Sequence, residues 1–165
     1  MKLKELYCVS NNIDVKEYIK FREKVKRRME HPDWLGDIGE KGTANLLNKR
    51  SKVWIYYLND EPVCSMMLIR VNKEMLLELD LQYNCKDVVE YGPMFVNPKY
   101  VGNGLQYQML LELDNYCKQL GYKYAVGTIH YGNIYSISNA VKDNFMYIGT
   151  KTLHRGMVNI YFKKY

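Results

Sequence analysis

Hydrophobic and polar positions divide the chain into short strand-like and helix-like runs. Leu3, Leu6 and Val9 suggest a first strand, although they alternate poorly. Asn11, Asn12 and Asp14 then supply caps for a helix from about Val15 to Met29, with Val15, Tyr18, Ile19, Val25 and Met29 on its apolar face. His31 to Gly36 reads as a loop, and a short helical segment runs through Ala44, Leu46 and Leu47. Val53 to Leu58 and Val63 to Val71 form a hairpin across the turn Asn59-Asp60-Glu61-Pro62. Met75 to Gln82 is ambiguous. Leu77, Leu79 and Leu81 alternate like a strand, while Met, Leu and Glu favour helix; strand is the expectation. Val88 to Val96 is a strand, Gly104 to Leu120 a helix closed by Gly121, and Tyr124 to Ile129 a second strand. A strand–helix–strand unit of this kind pairs its strands in parallel. Asn133 opens another helix to about Asp143, and strands at Phe145 to Thr150 and Met157 to Phe162 close the chain.

The stretch from Tyr91 to Leu113 organises the rest. Pro98 ends the strand that contains Met94, Phe95 and Val96, because proline cannot donate to a sheet ladder. Gly102 and Gly104 permit unusual dihedrals and a close approach of a ligand to the main chain. Leu105, Met109, Leu113 and Cys117 then recur at helical spacing. A helix start offers unpaired N–H groups and a partial positive charge, which make an anion site. It is not a P-loop, since Leu105-Gln106 follow the second glycine where Lys-Ser/Thr would stand. Nor is it a dinucleotide fingerprint, because Tyr107 fills the place of the third small residue.

Composition narrows the candidates. The 165 residues fit one domain spanning 1–165, and 47% hydrophobic with 25% charged residues is ordinary for a globular chain. No apolar run reaches the roughly 20 residues of a membrane span. The start of the chain has an acid within a short apolar pattern and lacks a signal-peptide cleavage site, so a cytoplasmic location is expected. Cys8, Cys64, Cys85 and Cys117 are scattered, as are His31, His130 and His154, so no metal is expected. The net charge of +6 favours anionic partners. It is spread along the chain, although Lys16, Lys20, Lys24, Lys26, Arg27 and Arg28 concentrate on the first helix, and the spread argues against nucleic acid.

The pattern Val96-x-Pro98-x-x-x-Gly102-x-Gly104, with Lys99 three positions before the first glycine, resembles the pyrophosphate loop of the GNAT superfamily of acyl-CoA-dependent N-acyltransferases. Lys99 stands where that family usually has Gln or Arg. Asn133, Ser136 and Asn139, followed by Asn144-Phe145 in place of Gly-Phe, resemble the family's second motif, and the order of elements agrees.

The resemblance implies an α/β (α+β) fold: a mixed, mostly antiparallel sheet of six to seven strands with about four helices. It also implies a cleft for acetyl-CoA between two splayed parallel strands. Phe95 and Val96 would pair with the pantetheine arm and could polarise the thioester carbonyl through a backbone N–H. Lys99 and the loop Val101, Gly102, Asn103, Gly104 and Leu105 would hold the pyrophosphate, and Asn133 and Ser136 would lie along the arm. Glu90 is the candidate base for an amine acceptor, whose ammonium (pKa ~10) must lose a proton before it attacks. Glu78, Asp80 and His130 stand in reserve. The family's usual acid, a Tyr five residues before the Phe, is Ala140 here; Tyr135, Ser136 or solvent would replace it. Trp34, Tyr91 and His130 are candidate acceptor contacts, and the acceptor would be a small-molecule or protein amine. A catalytically weak acyl-CoA sensor with the same fold is the alternative, and the last strand could pair across a homodimer.

Overall fold

The computed structural model describes residues 1–36, 39–153 and 156–165, without the side chains of residues 48 and 49; His154 lies outside this set. Asn59 and Asp60, both at positive φ, form the two-residue turn that folds β2 (Ser51–Leu58) back onto β3 (Glu61–Arg70). Turns of this hand match the twist of paired strands. β1 (Tyr7–Val9) pairs the outer side of β2, preceded by a single 3-10 turn at Leu3–Glu5.

The full sheet runs β1-β2-β3-β4-β6-β8-β7, with the short β5 attached to β3 alone. Its remaining members are β4 (Val88–Tyr91), β5 (Phe95–Val96), β6 (Tyr124–His130), β7 (Met146–Leu153) and β8 (Gly156–Lys164). Among the described residues every pairing is antiparallel except β4 with β6, where the crossover through a helix at Leu105–Gln119 makes it parallel. Eight strands and five α-helices lie among the described residues, slightly more than expected.

Helices cover both faces. On one side α1 (Val15–Lys26) and α2 (Gly39–Lys49) pack Tyr18, Phe21 and Val25 against Val53, Ile55, Met67, Ile69 and Phe95. On the other, α4 (Leu105–Gln119) and α5 (Ile134–Lys142) flank the sheet. Leu105, Met109, Leu113 and Cys117 of α4 are all at most 1% exposed against Cys64, Met66, Leu68 and Val89. Burial of about 2 kcal/mol per such side chain fixes where α4 begins. The four cysteines are free: Cys64 and Cys117 are in this core, Cys8 is exposed and Cys85 half-buried.

Two expectations fail. Met75 to Gln82 is not a strand: Lys73–Glu78 forms α3, and the Asn72 side chain caps it by accepting from the Met75 amide at 3.0 Å. Leu76 and Leu79 are buried while Leu77 is 70% exposed, so a spacing of three governs, and Asp80 at positive φ stops the helix. Val88 to Val96 is also not continuous. Gly92-Pro93 breaks it into β4 and β5.

Candidate active site

That break creates the site. β4 pairs β6 from Val88↔Tyr124 to Tyr91↔Gly127 and stops. β6 continues to His130 alongside β8, while β5 leans away and pairs only Cys64 and Ser65 of β3. The two strands therefore diverge, as expected. The Asn97 amide donates inward to Val63 at 2.8 Å, so ladder alternation turns the N–H and C=O of Val96 outward to the gap. Phe95 contributes a buried ring beside Tyr18 and Phe21.

α4 begins at the end of this gap. Gly102 (φ 88°) and Gly104 (φ 67°) shape the loop, and Gly104 is the N-cap residue. The amides of Gly102 to Tyr107 have no acceptor among the described residues. Val101's amide already donates to Pro98 at 3.3 Å, so the open set starts one residue later than expected. The Asn103 side chain braces the loop by donating to the Tyr100 carbonyl at 3.0 Å. Lys99 is turned to Glu61, with Nζ at 2.6 Å, and Tyr100 donates to the same carboxylate. The free donors at this helix start are therefore main-chain amides, while the Lys99 ammonium is engaged by Glu61. A Cβ at Gly104 would meet nothing within 4 Å, so Gly104→Ala tests the backbone alone. It should cost about 1–2 kcal/mol through the left-handed dihedral, lowering the melting temperature by a few degrees, and should weaken acetyl-CoA binding in a titration.

A cavity of about 440 Å³ passes through the sheet where the strands diverge. At the α4–α5 end it is bordered by Gln106, Leu110, Asn133, Ser136, Ala140 and Phe145. Asn133 caps α5, its Oδ1 accepting from the Ser136 amide at 3.1 Å, and its Nδ2 has no acceptor among the described residues. Gln106 ties the two helices together: it donates to Ser136 Oγ at 2.7 Å and accepts from Asn139 at 2.8 Å. Sequence reasoning missed Gln106. Its only signal was a polar residue in the first turn of an otherwise apolar-faced helix.

The opposite end holds Glu90, flanked in register by Ile69 and Val126. Desolvation, with a smaller contribution from the Glu78 charge, pushes the Glu90 carboxyl up to about 7. His130 and Trp34 line the same end. His130 Nε2 is 3.4 Å from Asp33, its Nδ1 accepts from the Gly132 amide, and Trp34 stacks on His31. Two candidates stand elsewhere. Tyr91 borders the cavity, but its side chain lies on the α4 face, where the hydroxyl donates to Asp114 at 2.9 Å and meets Tyr165. Tyr135 is 69% exposed, stands near Trp34 and does not border the cavity.

Beneath Tyr91 sits a buried ionic cluster. Lys163 contacts Asp114 and, at 2.9 Å, Asp143. All three residues are at most 5% exposed. The Asp143 contact is one of charge without hydrogen-bond alignment, and burial raises the Asp143 carboxyl.

No protein-family model and no curated protein matches the sequence. The backbone, however, superposes on many solved acetyltransferases. The ribosomal-protein-S18-alanine N-acetyltransferase of Escherichia coli matches at a TM-score of 0.71 and 14% identity, over 96% of this chain and 93% of that one. A Streptococcus pneumoniae acetyltransferase of the GNAT family matches at 0.70 and 13%, over 97% and 99%. The chain has the GNAT fold. A Bacillus subtilis acetyltransferase in complex with CoA matches at 0.69 and 12%, over 97% and 99%. At such identities the likeness shows the fold alone; within the GNAT fold, this chain's own residues must argue the chemistry.

Proposed function

We propose that the protein is a single-domain, cytoplasmic N-acetyltransferase that moves the acetyl group of acetyl-CoA to a primary amine by direct attack. One observation carries this reading: a single cavity through the sheet is lined by the raised Glu90 carboxyl on one face and by Gln106, Asn133 and Ser136 on the other, and Gln106 belongs to the helix start whose amides, Gly102 to Tyr107, have no acceptor among the described residues. The loop amides hold the pyrophosphate at the start of α4. The Val96 edge receives the pantetheine arm as an added strand, and its N–H polarises the thioester carbonyl. Asn133 Nδ2 donates to the arm.

The acceptor enters from the Glu90 end. Glu90, ionised above about 7, takes the ammonium proton directly or through water, leaving a lone pair to attack. Ser136 Oγ accepts from Gln106, so its own proton is free to hydrogen-bond the departing thiolate, which solvent protonates. In the neighbours, CoA or acetyl-CoA is named in several structures, and one protein acts on a ribosomal-protein alanine. Among the described residues no helix is long and apolar enough to cross a membrane.

A second reading, an acyl-CoA-binding module with weak turnover, draws on Ala140 bordering the cavity while Tyr135 stands outside it. A thermal melt with acetyl-CoA, NAD or ATP tests the cleft. Acetyl-CoA at ~100 times its dissociation constant should add about 2.7 kcal/mol, several degrees, and the other two nothing. Amine-dependent release of free CoA thiol then separates enzyme from sensor. A shift without release under any amine supports the sensor.

A further inference from the structure

We propose that the acceptor is a monoamine carried on an apolar, uncharged body, such as an alkylamine. This rests on the acetyltransferase reading. On the Glu90 side, the wall is built by Leu46, Met67, Ile69, Met75, Leu153 and Val158, drawn from α2, β3, α3, β7 and β8. Ile69 lies directly across from Glu90 in the β3–β4 register, so an aliphatic side chain flanks the carboxyl. Met67 is fully buried, and two methionine thioethers give this wall an adaptable apolar surface.

The charges in the wall point the same way. Glu90 is the acid set among these side chains. Asp33 borders the cavity with its side chain 63% exposed, 3.4 Å from His130, so it belongs to the mouth. The one cationic contributor among the described lining residues, Arg22, is only 4% exposed and already held. It donates to Glu23 at 2.8 Å and to the Gly36 carbonyl. Among the described lining residues, a second ammonium held along the aliphatic wall would therefore find no acid besides Glu90 itself, since Asp33 stands at the mouth and Glu78, whose charge reaches Glu90, does not line the cavity. A carboxylate beside the amine would meet Glu90 across the same wall. Unpaired charge in such a setting is rejected far more strongly than a missing or extra methylene.

Matched acceptors test this without changing shape. Hexylamine is compared with 1,6-diaminohexane, and isoamylamine with leucine, which differs by a carboxylate. With acetyl-CoA, kcat/KM should be at least about 100-fold higher for each monoamine than for its charged counterpart. Calorimetric titration of the same four compounds into protein free of acetyl-CoA should show the same order. Saturation by hexylamine there would sustain the apolar site even if acetyl-CoA failed to bind, which would sink the acetyltransferase reading alone. Failure of both monoamines to saturate, or parity with the diamine, overturns the proposal. Preference for leucine overturns it too, and would mean that Arg22 receives a carboxylate. Met75→Glu, half-buried on α3, should narrow the hexylamine-to-diamine ratio at least about tenfold, whereas Met75→Leu should keep it.

Discussion

Replacing Glu90 by Gln should lower kcat by about 10²–10³-fold while leaving acetyl-CoA affinity unchanged, because Val89 and Tyr91 face α4 and strand alternation puts the Glu90 carboxyl on the other face of the sheet. The wild-type rate should rise with pH through about 7, as Glu90 loses its proton, and that limb should vanish in the variant. Stability should move in the opposite direction. Glu90 titrates higher in the fold than its ordinary 4.5, so ionising it costs the folded state. The cost is absent below pH 4.5, grows as pH rises and is complete above about 7. Glu90→Gln should therefore raise the melting temperature at pH 8 by several degrees, about 2–3 kcal/mol, and leave it unchanged near pH 4. A slower but more stable variant at pH 8 would mark a group held at a cost for its chemistry. A variant of equal activity would remove Glu90 from the mechanism.

The largest stability effect is expected at Lys163. Lys163→Met leaves Asp114 and Asp143 buried together without their cation. Loss of one member of a buried pair costs about 3–5 kcal/mol, a fall in melting temperature of roughly 10–15 °C for a domain of this size. Asp143→Asn should cost much less, since burial already favours the protonated form of that carboxyl. Equal losses from the two substitutions would mean that Asp143 is fully ionised in the fold. Because Asp114 also receives the Tyr91 hydroxyl, the Lys163 variant should in addition loosen the strand that carries Glu90. Its residual folded fraction should bind acetyl-CoA more weakly.

The glycine loop, the helix behind it and the parallel crossover were legible because their signals are local. Two glycines, a proline and a run of Leu105, Met109 and Leu113 sit within a few turns of one another. Asn133 was legible for the same reason, as a cap preceding a helix. α3 was misread because Leu77, Leu79 and Leu81 satisfy a period of two by type, while the packing uses Leu76 and Leu79. Asn72 was the overlooked sign, a cap directly before Lys73. The divergence of β5 from β6 left only Gly92-Pro93 as its trace, inside a run that Val88, Val89, Tyr91, Phe95 and Val96 make look like one strand. The ionic cluster was out of reach in detail, since its members are brought together by α4, α5 and β8 from distant parts of the chain. Asp114, set between Leu113 and Cys117 on a buried face, was its one visible sign.

The two cysteines in the core turn the fold into its own clock. Cys64 and Cys117 are fully buried, and burial raises both thiols, Cys64 to about 12, so neither offers a thiolate to a reagent while the chain is closed. Cys8 lies open on the outermost strand. A disulfide reagent should consume Cys8 first, half-buried Cys85 more slowly, and the core thiols only through opening of the chain, so the late phase of labelling reads that opening under native conditions. The same colour change that reports released CoA would thus carry an early protein background from Cys8 and Cys85, and its slow drift would follow the opening of the core.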